Sequence, residues 1–185
     1  EEINEGLVRF DIVFYVRMKD GLSQIIINVE AQKDEPTGYE ILNRAIFYVS
    51  RLISSQKERD FENSSYDDIK RVYSIWVCMN MDESSMSHVH LTKEDLIGSY
   101  EWKGNLDLLN IIMLGLAKNL PEHDETYELH RLLGALLSKE LTIDEKLNII
   151  GNEYDIPIEE NFRKDVSVMC NLSQGIEEKG IAMAT

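Results

Sequence analysis

At 185 residues the chain is long enough for one domain with a full core, or for a domain with an appendage. With 43% hydrophobic and 29% charged residues it reads as an ordinary soluble globular protein, and no apolar run approaches the ~20 residues that span a bilayer. The net charge of −15 is spread over both halves and argues against non-specific attraction to nucleic acid, although a local basic strip can coexist with an acidic remainder.

The start shows no secretory signal pattern. Cys78 and Cys170 lie far apart without a CxxC, so a reducing cytoplasm with both thiols free is the simplest setting. The chain begins at Glu1 without a Met, as an excised domain would.

Val8 to Gln32 predicts a hairpin. Both arms are rich in β-branched and aromatic residues, and Asp20-Gly21 between them is a strong turn signal. A two-residue turn there pairs residues whose numbers sum to 41, so Asp11 stands opposite Glu30, Val13 opposite Asn28 and Arg9 opposite Gln32. Side chains alternate faces with period two. One face is then wholly apolar, from Phe10, Ile12, Phe14, Val16, Ile25, Ile27, Val29 and Ala31, and the other gathers Arg9, Asp11, Glu30 and Gln32 at one end. A one-residue slip would scramble that separation. Two facing carboxylates repel, so a cation, a proton or exposure to water should compensate.

After a turn-rich link at 33–38, a helix is expected from about Tyr39 to Gln56. Ile41, Leu42, Ala45, Ile46, Val49, Leu52 and Ile53 fall at helical spacing, and Arg44, Tyr48, Arg51 and Ser55 form a separate stripe that a solvated face would also explain. Residues 57–70 read as a loop, Arg71 to Asn80 as a buried strand, and His88 to Leu91 as a short strand. The strand at 71–80 is placed to join the hairpin in parallel through a crossover. The apolar run Leu106 to Leu120 predicts a buried helix. A second helix is expected from Pro121 to Ser138, a third behind the Thr142–Glu145 capping box, and a last one over about 159–171.

The expected architecture is α+β: a mixed β-sheet flanked by helices over 1–100, a helical extension over 101–174 and a flexible tail over 175–185.

Carboxylates on adjacent strands suit a hard cation such as Mg²⁺, which prefers oxygen ligands and retains several waters. Such an ion can polarise a phosphodiester. Gln32, two residues from Glu30, points to the same face. The plainer alternative makes Asp11 and Glu30 solvent-facing residues of a one-sided sheet. His88 with His90 read as a surface strand, since no Cys or third His stands near, and His123 with His130, seven apart on a helix face near Glu128, read as packing or solvated residues. There is no P-loop, Rossmann fingerprint or zinc-finger spacing.

A strand Asp, then Glu-x-Gln closing an apolar strand, then a helix and a strand resembles the PD-(D/E)XK nuclease superfamily. More closely, Arg9-Phe10-Asp11-Ile12, Ile27-Asn28-Val29-Glu30-Ala31-Gln32 and Val72-Tyr73-Ser74-Ile75-Trp76 resemble the PD-(D/E)XK nuclease family transposases, the recombination-promoting nuclease branch of bacterial mobile elements. The tail from Met169 to Ile176 is similar as well.

The resemblance implies a restriction-endonuclease-like core and Mg²⁺- or Mn²⁺-dependent cleavage of DNA phosphodiesters in the cytoplasm. DNA would be the partner, no membrane would be involved, and a homo-oligomer is compatible. By motif position Asp11 and Glu30 would bind the metal, helped by the Ala31 carbonyl, and Gln32 would stand where the superfamily has lysine. Gln is usual there in this branch, but it is neutral and cannot stabilise developing negative charge as an ammonium would. Arg44 or Arg51 would supply that charge or contact DNA. The family's leading helix is absent or precedes Glu1, where Glu2 and Glu5 are the nearby acids. The alternative of another class is a catalytically degenerate nuclease fold serving as an interaction or DNA-binding module.

Overall fold

The computed structural model describes residues 11–19 and 24–168. It is an α+β chain in the order β1 (Ile12–Arg17), β2 (Gln24–Gln32), α1 (Ile41–Ser54), a 3₁₀ turn (Tyr66–Asp68), β3 (Arg71–Met81), β4 (Ser85–His90), β5 (Leu109–Ala117), α2 (Glu128–Leu137) and α3 (Ile143–Glu153). Residues 160–168 are again helical. The chain divides into two compact units, 1–115 and 116–185.

The first unit holds an open, mixed sheet in the order β1-β2-β3-β5-β4. β1 and β2 pair antiparallel from Ile12↔Val29 to Arg17↔Gln24, every pair summing to 41. The expected turn at Asp20-Gly21 lies outside the described residues, yet the ladder keeps the register such a turn sets. β2 pairs parallel to β3 from Ile25↔Arg71 to Gln32↔Cys78. A parallel pair needs a crossover, which α1 and residues 55–70 provide. Gln56, fully buried, clips that crossover: its Nε2 donates to the Lys70 carbonyl at 3.0 Å, and its Oε1 accepts the Lys70 N–H at 2.7 Å. Gln56→Leu strands both backbone groups in the interior at about 1–3 kcal/mol each. Urea unfolding of that variant is expected to show a loss of about 2–4 kcal/mol.

The core lies between α1 and the sheet, where Ala45, Val49 and Leu52 meet Ile26, Val72, Trp76, Cys78 and Ile111. Fully burying such a side chain stabilises by about 1.5–3 kcal/mol. This places the core on the opposite face of the hairpin from the wholly apolar one. Ile26, Asn28 and Glu30 are buried, whereas Ile12 and Phe14 on the apolar face remain 55% and 42% exposed. On α1, Leu42, Ile46 and Phe47 are exposed, while Arg44, Tyr48 and Arg51 are half-buried. Of the polar stripe, only Ser55 is exposed, so most of it is not a solvated face.

At the far end of the hairpin, the Tyr15 hydroxyl donates to Asp60, whose carboxylate also takes Arg59 Nε at 2.8 Å and Lys70 Nζ at 3.1 Å. Burial alone would lift the Asp60 carboxyl, but the two cations outweigh it and hold it below the usual carboxylate range.

One element differs in kind from expectation. Residues 109–117 are a strand, not part of a helix over 106–120. β5 sits between β3 and β4 inside the sheet, and none of its residues on either face is exposed, so its apolar run has no period to read. Gly115 faces Ser85 across the β4–β5 ladder, and a Cβ there would stand 2.5 Å from Ser85 Oγ. Between β4 and β5, residues 91–108 form no regular element and expose Leu96, Ile97, Tyr100 and Trp102.

In the second unit α2 begins at Glu128, seven residues later than Pro121 suggests. α3 carries the expected capping box: Thr142 Oγ1 accepts the Glu145 N–H, and the Glu145 side chain accepts the Thr142 N–H at 2.7 Å. Arg131 grips Glu153 with two nitrogens, at 2.6 and 2.8 Å, tying α2 to α3. No helix among the described residues is long and apolar enough to cross a membrane.

Candidate functional site

The acidic end of the hairpin is built by reciprocal contacts across two strands. Glu30 ends the buried face of β2 and is 2% exposed; Asp11 lies immediately before β1 and is exposed. The Asp11 N–H donates to Glu30 Oε1 at 3.2 Å, and the Ala31 N–H donates to Asp11 Oδ2 at 3.1 Å. Each carboxylate is thus held by the backbone of the other's strand. Exposure to water, one of the three compensations for facing acids, is closed to Glu30.

A polar cluster inside the core holds Glu30 from beneath. Asn28 Nδ2 donates to Glu30 Oε1 at 2.8 Å and to the Ile12 carbonyl at 3.2 Å. Ser74 Oγ donates to Asn28 Oδ1 at 2.7 Å, and Trp76 Nε1 donates to Ser74 Oγ at 2.9 Å. Asn28, Ser74 and Trp76 are at most 1% exposed. Unpartnered polar groups would be costly at that depth, and among the described residues no buried side-chain polar atom lacks a hydrogen bond.

These residues were missed as site residues. The signal was present: Asn28 interrupts Ile25-Ile26-Ile27 and Val29, and Ser74 interrupts Val72-Tyr73 and Ile75-Trp76, on the same strand faces as Glu30 and Trp76.

Burial pushes the Glu30 carboxyl above its ordinary range. The hydrogen bonds from Asn28 and the Asp11 N–H pull it back, the Asp11 charge pushes it further up, and the Arg44 charge lowers it. A divalent cation between the two acids would act in the same direction as Arg44.

Gln32 is half-buried, and its amide is engaged away from the carboxylates. Nε2 donates to the Asp34 carbonyl at 2.8 Å, and Oε1 accepts from Arg44 Nη1 over a long 3.4 Å. Arg44 reaches in from the first turn of α1. Its guanidinium carbon stands 4.8 Å from the Tyr48 ring centroid, 5.4 Å from Trp76 and 5.9 Å from Tyr39. Its nitrogens donate to the Tyr39 and Tyr48 hydroxyls, both at 3.0 Å. It makes no ion pair with a carboxylate among the described residues.

The structure therefore brings Asp11, Glu30, Ala31, Gln32 and Arg44 together. Arg51 does not join them: it lies seven residues along α1, about 10 Å at 1.5 Å per residue.

The histidines offer no rival centre. His88 and His90 stack at 4.7 Å on exposed β4, with His88 Nε2 bonded to Asn110 Oδ1. His123 pairs with Glu128 at 3.1 Å, and His130 is buried against Tyr127. Among the described residues no group of three or more His, Cys, Asp or Glu converges. Cys78 is a buried free thiol whose pKa burial raises; Cys170, Arg9, Phe10, Glu2 and Glu5 lie outside the described residues.

Compared with protein-family models, curated proteins and solved structures, the chain matches none.

Proposed function

We propose that the chain is a divalent-metal-dependent DNA endonuclease domain of the transposase type, with a restriction-endonuclease-like core. The observation that carries this reading is the buried Glu30 carboxylate locked to Asp11 at the shared end of β1 and β2.

The donor set fits a hard cation. Glu30 Oε2 and Asp11 Oδ1 accept no hydrogen bond from the described residues, all the side-chain donors are oxygens, and Mg²⁺ commonly rests on one or two carboxylates with waters completing its shell. In an antiparallel ladder a residue turns its N–H and C=O toward the same neighbour. The Ala31 N–H on Asp11 therefore directs the Ala31 carbonyl to the β1 side as well. Asp11, Glu30 and that carbonyl would hold Mg²⁺ or Mn²⁺, which when bound would supply Lewis-acid polarisation of a phosphodiester and a more acidic water.

The chain's own residues do the rest. Glu30 stays fixed by the two hydrogen bonds to its Oε1, Asp11 lies on the exposed side where substrate enters, and Arg44, which has no carboxylate partner among the described residues, offers its guanidinium to the phosphate. Gln32 aligns that guanidinium through its amide oxygen. The sequence strings that resemble the PD-(D/E)XK transposases support the choice of DNA as substrate. The net charge of −15 predicts weak binding with a shallow salt dependence, because few cations meet the phosphates.

Plasmid nicking tests the reading. Wild type is expected to nick with Mg²⁺ or Mn²⁺ and not with chelator, and Asp11→Ala and Glu30→Gln to lose at least ~100-fold in rate. Equal cleavage by wild type and both variants would sink it. A second reading is favoured by one observation, the engagement of Gln32 Nε2 with Asp34 instead of the carboxylates. On that reading the fold binds metal and DNA without cutting, and the assay would show Mg²⁺-dependent DNA retention with no nicked product.

A further inference from the structure

We infer that Trp76, Ser74 and Asn28 form a one-way hydrogen-bond relay that positions the Glu30 carboxylate toward the cation, a role that rests on the metal-site reading above. The four residues make a square on one face of the sheet. Asn28 pairs with Ser74 and Glu30 with Trp76 in the parallel ladder, and the members on each strand are two residues apart.

The direction of every bond follows from one end. An indole N–H can only donate, so Ser74 Oγ accepts from Trp76. That leaves the Ser74 hydrogen for Asn28, and it goes to Oδ1, an acceptor. Both hydrogens of the Asn28 amide then face the other way, one on the Ile12 carbonyl and one on Glu30 Oε1. The flipped amide would set its oxygen against two acceptors, so the network itself decides the orientation.

The consequence falls on Glu30. Its Oε1 receives two donors, from Asn28 and from the Asp11 backbone, which fixes the carboxylate plane. Its Oε2 receives none from the described residues and is the oxygen left for the ion. Residues behind a ligand that fix its orientation typically govern affinity by 10- to 100-fold. Asn28, Ser74 and Trp76 are positioning residues in this sense; none of them touches the ion or substrate.

The test uses Ser74→Ala, which breaks the relay, Ser74→Thr, which keeps the hydroxyl, and Trp76→Phe, which removes only the indole donor and serves if Ser74→Ala does not fold. Mn²⁺ affinity is read by calorimetry beside the side-chain amide signals of Asn28 by NMR. Ser74→Ala is expected to bind Mn²⁺ about 10- to 100-fold more weakly and to lose the hydrogen-bonded Asn28 amide shift, with Ser74→Thr close to wild type in both. Unchanged Mn²⁺ affinity in both Ser74→Ala and Trp76→Phe overturns the relay, whatever the Asn28 amide shift does. If wild type binds Mn²⁺ no better than Glu30→Gln, the metal-site reading fails, and with it the relay's role toward a cation.

Discussion

Glu30→Gln is expected to stabilise the folded chain near neutral pH while abolishing its response to Mg²⁺. The side chain keeps its shape, and the carbonyl oxygen of Gln can accept the hydrogen bonds that Asn28 and the Asp11 N–H now give to Oε1. What disappears is a negative charge buried beside another. Burial, with the Asp11 charge adding to it, lifts the Glu30 carboxyl above its value in the unfolded chain, about 4.3.

The sign then follows from linkage. Where the native state holds its proton more tightly, stability is fully present below the unfolded pKa and falls as pH rises through the folded one. Wild type and variant should therefore have nearly equal stability at about pH 4 and diverge above it, with the variant the more stable. Mg²⁺ at a hundredfold excess over its dissociation constant should stabilise wild type by about 2.7 kcal/mol and leave Glu30→Gln unmoved. Thermal unfolding across pH, with and without Mg²⁺, reads both effects. A variant no more stable than wild type near neutrality would mean that the relay and Arg44 already offset the burial, and the trade of stability for function would have to be abandoned.

That reading of Glu30 draws on sequence and structure in unequal parts. The register was legible because Asp-Gly fixes a turn length and period-two alternation fixes parity, so the 41-sum pairing and the meeting of Asp11 with Glu30 followed from arithmetic. Which face would be buried was not legible. A wholly apolar face is the natural candidate for the core, yet α1 covers the one with Ile26, Asn28 and Glu30, because Ser74 and Trp76 arrive from β3 to satisfy the polar groups. That satisfaction depends on a parallel pairing 46 residues apart in sequence, and no local pattern announces it. Arg44 was similarly ambiguous: its helical spacing says only which stripe it belongs to, and the aromatic rings that receive it come from three separate positions. β5 failed for a different reason. A strand covered on both faces can be apolar throughout, and so can a buried helix, so Ile111, Ile112 and Leu114 fit both until Gly115 and the neighbouring strands decide.

The second large effect is expected at Arg44. On the proposed nuclease reading, cleaving a phosphodiester builds negative charge on the phosphoryl oxygens, and the two carboxylates can only oppose it. Gln32 is neutral, and Arg44, whose Nη1 stands 3.4 Å from its Oε1, is placed to offset that charge. The guanidinium is already desolvated against Tyr48 and Trp76 and held by two tyrosine hydroxyls, so little reorganisation is needed when a phosphate arrives. Arg44→Met should therefore lower the cleavage rate by about 100- to 1,000-fold, the scale found when one preorganised donor is removed. Mn²⁺ affinity should change only a few-fold, because Arg44 holds neither carboxylate directly. Some stability is lost with the cation–π contacts, about 0.5–2 kcal/mol, which leaves the variant testable below its unfolding transition. The decisive arm moves the charge instead of deleting it. Gln32→Lys in the Arg44→Met background puts an ammonium on β2 at the end of the same strand face, and it should recover at least ~10-fold of the lost rate. Recovery in the double variant, with none from Gln32→Met in the same background, identifies charge at that point as what Arg44 contributes. Wild-type cleavage by Arg44→Met would instead show that the guanidinium only packs the aromatic cluster between α1 and β3.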